Sequence, residues 1–279
     1  MDASSPPTAR PRIAGVVERR RGRLVLLPLT APEQELPLSG NVPPGTVVLT
    51  EAAPRGRRPV GPPLARSGSF RAQLFQLAGA HGLDPTYPEA VLAEARAVAR
   101  NPGVTDPGLE DLLHLPFVTI DNASSRDLDQ ALHAERDGAE IVLRYAIADP
   151  SWAVRPGTSL LAEAITRGAS YYLPGFSVPM LPPLLSEGAI SLNPRRPRRA
   201  LVFTMRLDAS GRRLSTEVVR ARVQSARKLS FRQVQRFYDD PGGSGLSRTP
   251  RLAATLDLLR EVGELRMAEA RRRHVVSFQ

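Results

Sequence analysis

The sequence contains no cysteine, which excludes disulfides, thiolate zinc centres and cysteine nucleophiles, and leaves oxygen and imidazole as the ligands open to any metal. Lysine is almost missing too: Lys228 is the only one, so the formal charge of +10 rests on arginine. Arginine forks pair bidentately with phosphate oxygens, and this balance favours a polyanionic partner over an acidic small molecule. Aromatic residues make up only 5% of the 279 positions, so stacking platforms for bases are few. There is no run of about 18 apolar residues, and MDASSPPTARPR has no apolar signal-peptide core, so neither a membrane span nor secretion is expected and the default location is cytoplasmic. His81, His114, His133 and His274 are scattered without ligand spacing, and no G-x-S-x-G elbow occurs. What is present, 42% hydrophobic residues with 24% charge, is globular composition with a sizeable core.

Residues 1–11 read as a flexible Pro/Ser/Ala-rich tail. Over 12–80, short apolar segments alternate with Gly/Pro turns: RIAGVVERRRGRLVLLPL reads as a hairpin, TVVLTEAA as a further strand and FRAQLFQLAG as a closing strand. Such a series suggests a small β-barrel of the cold-shock or oligonucleotide-binding kind, with Phe70 and Phe75 as its candidate stacking residues. A linker over 81–116 contains the helix YPEAVLAEARAVAR. From 117 to 279 the pattern is mixed α+β with mainly antiparallel strands. FVTI and EIVLRYAIAD are strands, SLLAEAITRGASYY is a helix, and ALVFTMRLDASGRRLSTEVVRARVQS is a hairpin turning at Ala209–Gly211. Ser230 and Thr249 are expected to cap two further helices.

TIDNASSRDLDQAL concentrates chemistry: Asp121 ends a strand, Asp127 and Asp129 follow in the loop, and Gln130 comes next. Three hard carboxylates suit Mg²⁺ or Mn²⁺, which keep water and phosphate in their shells and act in phosphodiester hydrolysis. A polar turn capped by Asn122, Ser124 and Ser125 explains the same residues, and on this stretch alone both readings stay open. An EF-hand fits poorly, because Ala131 stands at the next alternate position and no glycine or terminal glutamate falls in place.

Taken together, TIDNASSRDLDQAL, IADPSWAV and RGASYYLPGFSVPMLPPLLSEGAISLNP resemble the catalytic (RNB) domain of the ribonuclease II/ribonuclease R family of processive 3′→5′ exoribonucleases. The resemblance is good from about Phe117 to Gln279 and weaker over the barrel-like region. It implies a partial RNB-type catalytic domain behind a cold-shock-like barrel, single-stranded RNA as partner, and Mg²⁺-dependent release of nucleoside 5′-monophosphates. Asp121, Asp127 and Asp129 match the family's first three acidic positions, and Gln130 stands where a fourth aspartate is expected, which lowers the charge available to a metal. Asp149 and Gln130 are implied as groups behind the ligands or near substrate, and Tyr172 and Phe278 as an aromatic clamp on the terminal bases. The family's domain continues beyond this length and supplies a transition-state arginine. The chain is therefore expected to be a fragment, or a short homologue completed by a second polypeptide, and a catalytically silent RNA-binding homologue is the alternative function.

Overall fold

The computed structural model describes residues 12–51 and 56–275. Its first elements are β1 (Arg12–Arg20), β2 (Arg23–Pro28), β3 (Leu36–Ser39), β4 (Val47–Glu51), β5 (Arg58–Pro59), β6 (Pro63–Ala65), α1 (Phe70–Ala80) and α2 (Glu89–Arg100). They are followed by β7 (Glu110–Asp111), β8 (Phe117–Asp121), β9 (Gln130–Asp137), β10 (Glu140–Ala148), α3 (Ser159–Arg167), β11 (Tyr171–Leu173) and β12 (Phe176–Val178). β13 (Pro197–Leu207), β14 (Arg213–Ser230), α4 (Phe231–Asp239) and α5 (Pro250–Arg272) complete the order. The fold is mixed α+β, as expected, and no helix among the described residues is long and apolar enough to cross a membrane. The chain divides into two units, residues 1–97 with 154–183 and residues 98–153 with 184–279.

In the first unit, RIAGVVERR and RLVLLP pair as an antiparallel hairpin, and β1 also pairs with β4. The strand order is β5-β3-β2-β1-β4-β6, and Val17, Leu26, Leu38 and Val48 are buried together within it. FRAQLFQLAG, read from its sequence as a closing strand, is instead helix α1. The Ser69 hydroxyl accepts the Ala72 N–H at 3.2 Å, and this N-cap starts a helix that Gln, Leu and Ala residues propagate readily. Phe75 is core, its ring stacked on Phe176 with centroids 4.3 Å apart, whereas Phe70 is exposed. The helix expected over SLLAEAITRGASYY stops at Arg167, and Tyr171 and Tyr172 enter the β11–β12 hairpin. Tyr87 anchors that segment: its hydroxyl donates to the carbonyls of Pro179 (2.6 Å) and Leu181 (3.1 Å), and the Arg167 guanidinium lies 3.9 Å over its ring. Burial pushes the Tyr87 phenol up to about 12.

The second unit has strand order β13-β10-β9-β8-β14-β7, and a β13–β14 pairing brings the sheet back to its first strand. Such closure leaves limited room on the inner face, and Ala131, Ala146, Ala148, Ala200 and Ala221 are buried in one cluster with the larger Phe117, Leu128, Leu192, Val202 and Val223. The long hairpin is present with its turn between Leu207 and Arg213, while β14 runs parallel to β8 and β7, so the sheet is less uniformly antiparallel than expected. Ser230 caps α4 in a full capping box with Gln233, while Thr249 precedes α5 without a side-chain cap bond. α5 lays Leu258 and Val262 on Ala134, Ile141 and Leu207.

Candidate active site

Strand β8 delivers Asp121 at its end, and the loop to β9 carries Asp127 and Asp129. The Asp121 Oδ1 accepts from the Asn122 N–H at 2.6 Å and the Ser125 hydroxyl at 2.8 Å, so the polar residues of the turn serve the carboxylate. Neither bond uses its second oxygen. Although Asp129 reaches solvent, protein atoms strip water from its carboxyl and the charges of Asp127 and Asp121 add to this, raising its pKa above the ordinary value. Of the three aspartates predicted from sequence, Asp129 thus feels the charges of the other two.

A distant segment fixes that loop. Ser191, fully buried, donates its hydroxyl to the Arg126 carbonyl at 2.7 Å and accepts the Leu128 N–H at 2.9 Å. The Leu192 N–H donates to the Leu128 carbonyl at 2.8 Å, which turns Leu128 into the core between the two acidic residues beside it. Arg198 holds the segment in turn, donating to the carbonyls of Ser191 (2.8 Å) and Gly188 (2.9 Å). The string SEGAISLNP thus has a physical role that its sequence alone did not disclose: it is the clamp of the aspartate loop. On the loop's other side, the lone lysine, Lys228, donates to the carbonyls of Ala123 (3.0 Å) and Ser125. Its rarity in the chain was the one sequence signal that could have singled it out.

Gln130 opens β9 and accepts a hydrogen bond from the Tyr145 hydroxyl through its side-chain oxygen. Cross-strand register explains the pair: Gln130 lies opposite Ile147, so Tyr145, two residues earlier on β10, shares its face. Tyr145 carried no motif and was missed from sequence. Asp149 is buried; its Oδ1 accepts the N–H (3.0 Å) and hydroxyl (2.5 Å) of Ser151 and caps the turn at Pro150–Trp152. Its Oδ2 lies 3.6 Å from the Nε atoms of both Arg199 and Arg220 and makes no hydrogen bond among the described residues. Arg199 also donates to the Gly103 carbonyl (2.8 Å) and Asp106 (2.9 Å) and lies 4.7 Å over the Trp152 ring. In this arrangement Asp149 organises arginines. Its link to the aspartate loop is through the backbone, the neighbouring Ala148 N–H donating to the Asp129 carbonyl at 2.8 Å.

Tyr172 belongs to the first unit, exposed on β11, and Phe278 lies outside the described residues. The donor chemistry of the aspartate loop fits a hard divalent cation, whose charge would relieve the repulsion felt by Asp129. Among the described residues, however, no three His, Cys, Asp or Glu side chains are already grouped to hold a metal ion.

Comparison with known proteins bears on this geometry. The chain is 39% identical over 155 residues to ribonuclease R of Acidithiobacillus ferrooxidans, an alignment covering 55% of the chain and 35% of that protein. It thus spans about a third of this relative's length. The fold is similar to that of Mycoplasma genitalium RNase R solved in complex with double-stranded RNA, with TM-score 0.71, 22% identity, and coverage of 98% of this chain and 51% of that one. It is also similar to yeast Ssd1, described as a pseudonuclease, with TM-score 0.53, 13% identity, and coverage of 94% and 34%. The model of the RNB domain matches residues 109–279, which include the aspartate loop, its Ser191 clamp and the arginine network of Asp149, and the chain therefore belongs to the RNB domain family.

Proposed function

We propose that this chain is the nuclease-bearing part of a 3′→5′ exoribonuclease of the ribonuclease II type, acting on single-stranded RNA in the cytoplasm and releasing nucleoside 5′-monophosphates. The observation that carries the reading is the coupled Asp121–Asp127–Asp129 loop, clamped by Ser191 inside an RNB domain. Asp121, Asp127 and Asp129 would hold Mg²⁺, or Mn²⁺, which when bound supplies an activated water and neutralises charge developing on the cleaved phosphodiester. The chain's own residues do the positioning. Ser125 and the Asn122 N–H orient Asp121, Ser191 fixes the peptide between Asp127 and Asp129, and Tyr145 holds Gln130.

In the same reading the first unit is a cold-shock-like barrel that engages RNA. Its support is that β4 reaches β5 and the residues just after it, the Thr50 hydroxyl donating to the Pro59 carbonyl at 2.7 Å and the Leu49 N–H to the Pro62 carbonyl at 3.3 Å. Those bonds join β5, at one end of the β5-β3-β2-β1-β4-β6 order, to β4, the strand next to its other end. Tyr172, exposed, would stack on terminal bases.

A second reading, a catalytically silent RNA-binding homologue, is favoured by Gln130, whose amide brings no charge to the fourth acidic position, and by the absence of a ready three-ligand group among the described residues. The similar fold of a yeast pseudonuclease is a reminder that fold and turnover can separate. Labelled RNA with Mg²⁺ decides between them: mononucleotides from the chain and none from Asp129→Asn support the enzyme, whereas salt-sensitive binding without product supports the silent homologue.

A further inference from the structure

At the opposite end of the second unit's sheet from the Gln130–Ile147 pair, a cavity of about 450 Å³ opens between the sheet and α5. Its floor is apolar, with Leu143 and Met205 directly opposite each other on β10 and β13, and Val262 on α5. Its rim is cationic: Arg213 starts β14, Arg266 follows Val262 by four residues on the same face of α5, and Arg273 is the C-cap residue that ends the helix. No ion pair joins any of these three arginines to a carboxylate among the described residues.

The acids nearby are already engaged. Glu269, the acidic residue of the lining, pairs with Arg272 at 2.5 Å. Arg212 is bound by Asp208 at 3.2 Å. Asp208 also accepts the N–H groups of Ser210 (2.9 Å) and Arg212 (3.0 Å) and the Ser210 hydroxyl (2.7 Å), which hold its carboxyl down at about 2. These bonds lock the turn from Asp208 to Arg212. The locked turn is pressed on α5 at Gly211, where φ is +78° and a β-carbon would stand 2.6 Å from the Leu265 β-carbon. A residue without a side chain is what lets the turn approach the helix this closely. The turn thereby brings the start of β14, and Arg213 with it, to the same apolar-floored cavity that Arg266 and Arg273 line.

We infer that this cavity is a second ligand site, separate from the aspartate loop, which takes a nucleoside bearing a phosphate monoester: the phosphate on the guanidinium rim and the base against Leu143, Met205 and Val262. The ligand has two possible sources, a free mononucleotide or the 5′-phosphorylated end of an RNA chain, and they share this chemistry. The inference does not depend on RNA hydrolysis.

The test is binding of adenosine 5′-monophosphate to the full chain in chelator, by calorimetry, with adenosine as the phosphate-free control. Adenosine is expected to bind about ten-fold or more weakly than the monophosphate, and the double reversal Arg213→Glu/Arg266→Glu to weaken the monophosphate by a similar factor. Asp129→Asn should leave it unchanged. Gly211→Ala, which alters no charge, should also weaken it, with circular dichroism confirming that each variant is folded. Should the double reversal misfold, Arg266→Gln serves in its place with a smaller expected loss. Equal binding of adenosine and its monophosphate, or unchanged binding in folded arginine variants, overturns the site. A 5′-phosphorylated oligoribonucleotide that displaces the monophosphate, where its 5′-hydroxyl counterpart does not, identifies chain ends as the source; displacement by neither identifies the free nucleotide.

Discussion

The aspartates of the 121–129 loop and the arginines lining the cavity beside α5 are both sets of like charge in the second unit, yet they are held by different means. The acidic loop is clamped by neutral hydrogen bonds from Ser191 and Leu192, more than sixty residues away in sequence. The basic rim is set by a local turn, self-bonded through Asp208, docking on a helix through Gly211. Like charges separate unless something other than charge fixes their backbones. In the first cluster a buried polar side chain supplies that restraint, and in the second backbone packing does. Cluster chemistry follows: burial and the neighbouring carboxylate charges raise the pKa of Asp129 and invite a cation, while arginine stays charged and invites an anion.

Asp129→Asn should have the largest effect. Nucleotide release by the Mg²⁺-supplemented chain falls to background, while stability in chelator rises, because the substitution removes a charge the folded state holds unfavourably. The sign follows from linkage: a carboxyl whose folded pKa is raised costs stability as pH climbs from its ordinary value through the raised one. Chemical denaturation at pH 7 that shows the variant less stable would break the description of this loop as electrostatically strained.

Ser191→Ala comes next. It strands the buried Leu128 N–H and should cost about 1–3 kcal/mol of stability, with activity falling as the loop loosens. Monophosphate binding at the arginine rim should be untouched in the folded protein. If both properties drop together, the two clusters are not independently held. Gln130→Asp should then lower stability in chelator and recover it as Mg²⁺ is added, since a fourth carboxylate joins the repulsion that a cation relieves. A melting temperature indifferent to Mg²⁺ in this variant would argue against a metal role for the loop.

The smallest effect is a pH slope. Burial lowers the pKa of His133 below its ordinary 6.5, prevailing over the opposing pull of Glu135 at 3.5 Å, and Arg144 and Arg251 push the same way as burial. A histidine held neutral in the fold is protonated more readily in the unfolded chain. Its share of stability is therefore intact above pH 6.5 and is lost as pH falls from 6.5 towards the lowered value. Urea titrations between pH 5 and 8 should show this decline in the parent chain and a flatter one in His133→Gln.

Much of the local structure could be read from residue order. The strand ending at Asp121, the strand running to Ala148, the turn between β13 and β14 and the Ser230 cap all rest on periodicity or short-range hydrogen bonding, which sequence displays directly. FRAQLFQLAG was misread because short apolar runs fit strand and helix alike until a cap such as Ser69 decides. The three aspartates were legible as candidates, but polar turn and metal site could not be separated on that stretch alone. The structure shows the turn residues serving the carboxylate through Ser125 and Asn122.

What the sequence by itself determined is therefore the inventory: oxygen ligands in place of thiolates, arginine as the source of positive charge, and a set of motifs that place the chain in its family. Only the tertiary structure decided which residues make those motifs act. Ser191 reaches Leu128 and Gly211 meets Leu265 across separations that no local pattern encodes. The physical reason is that hydrogen bonding and close packing depend on distance in space, which chain position fixes only within a turn or a strand pair.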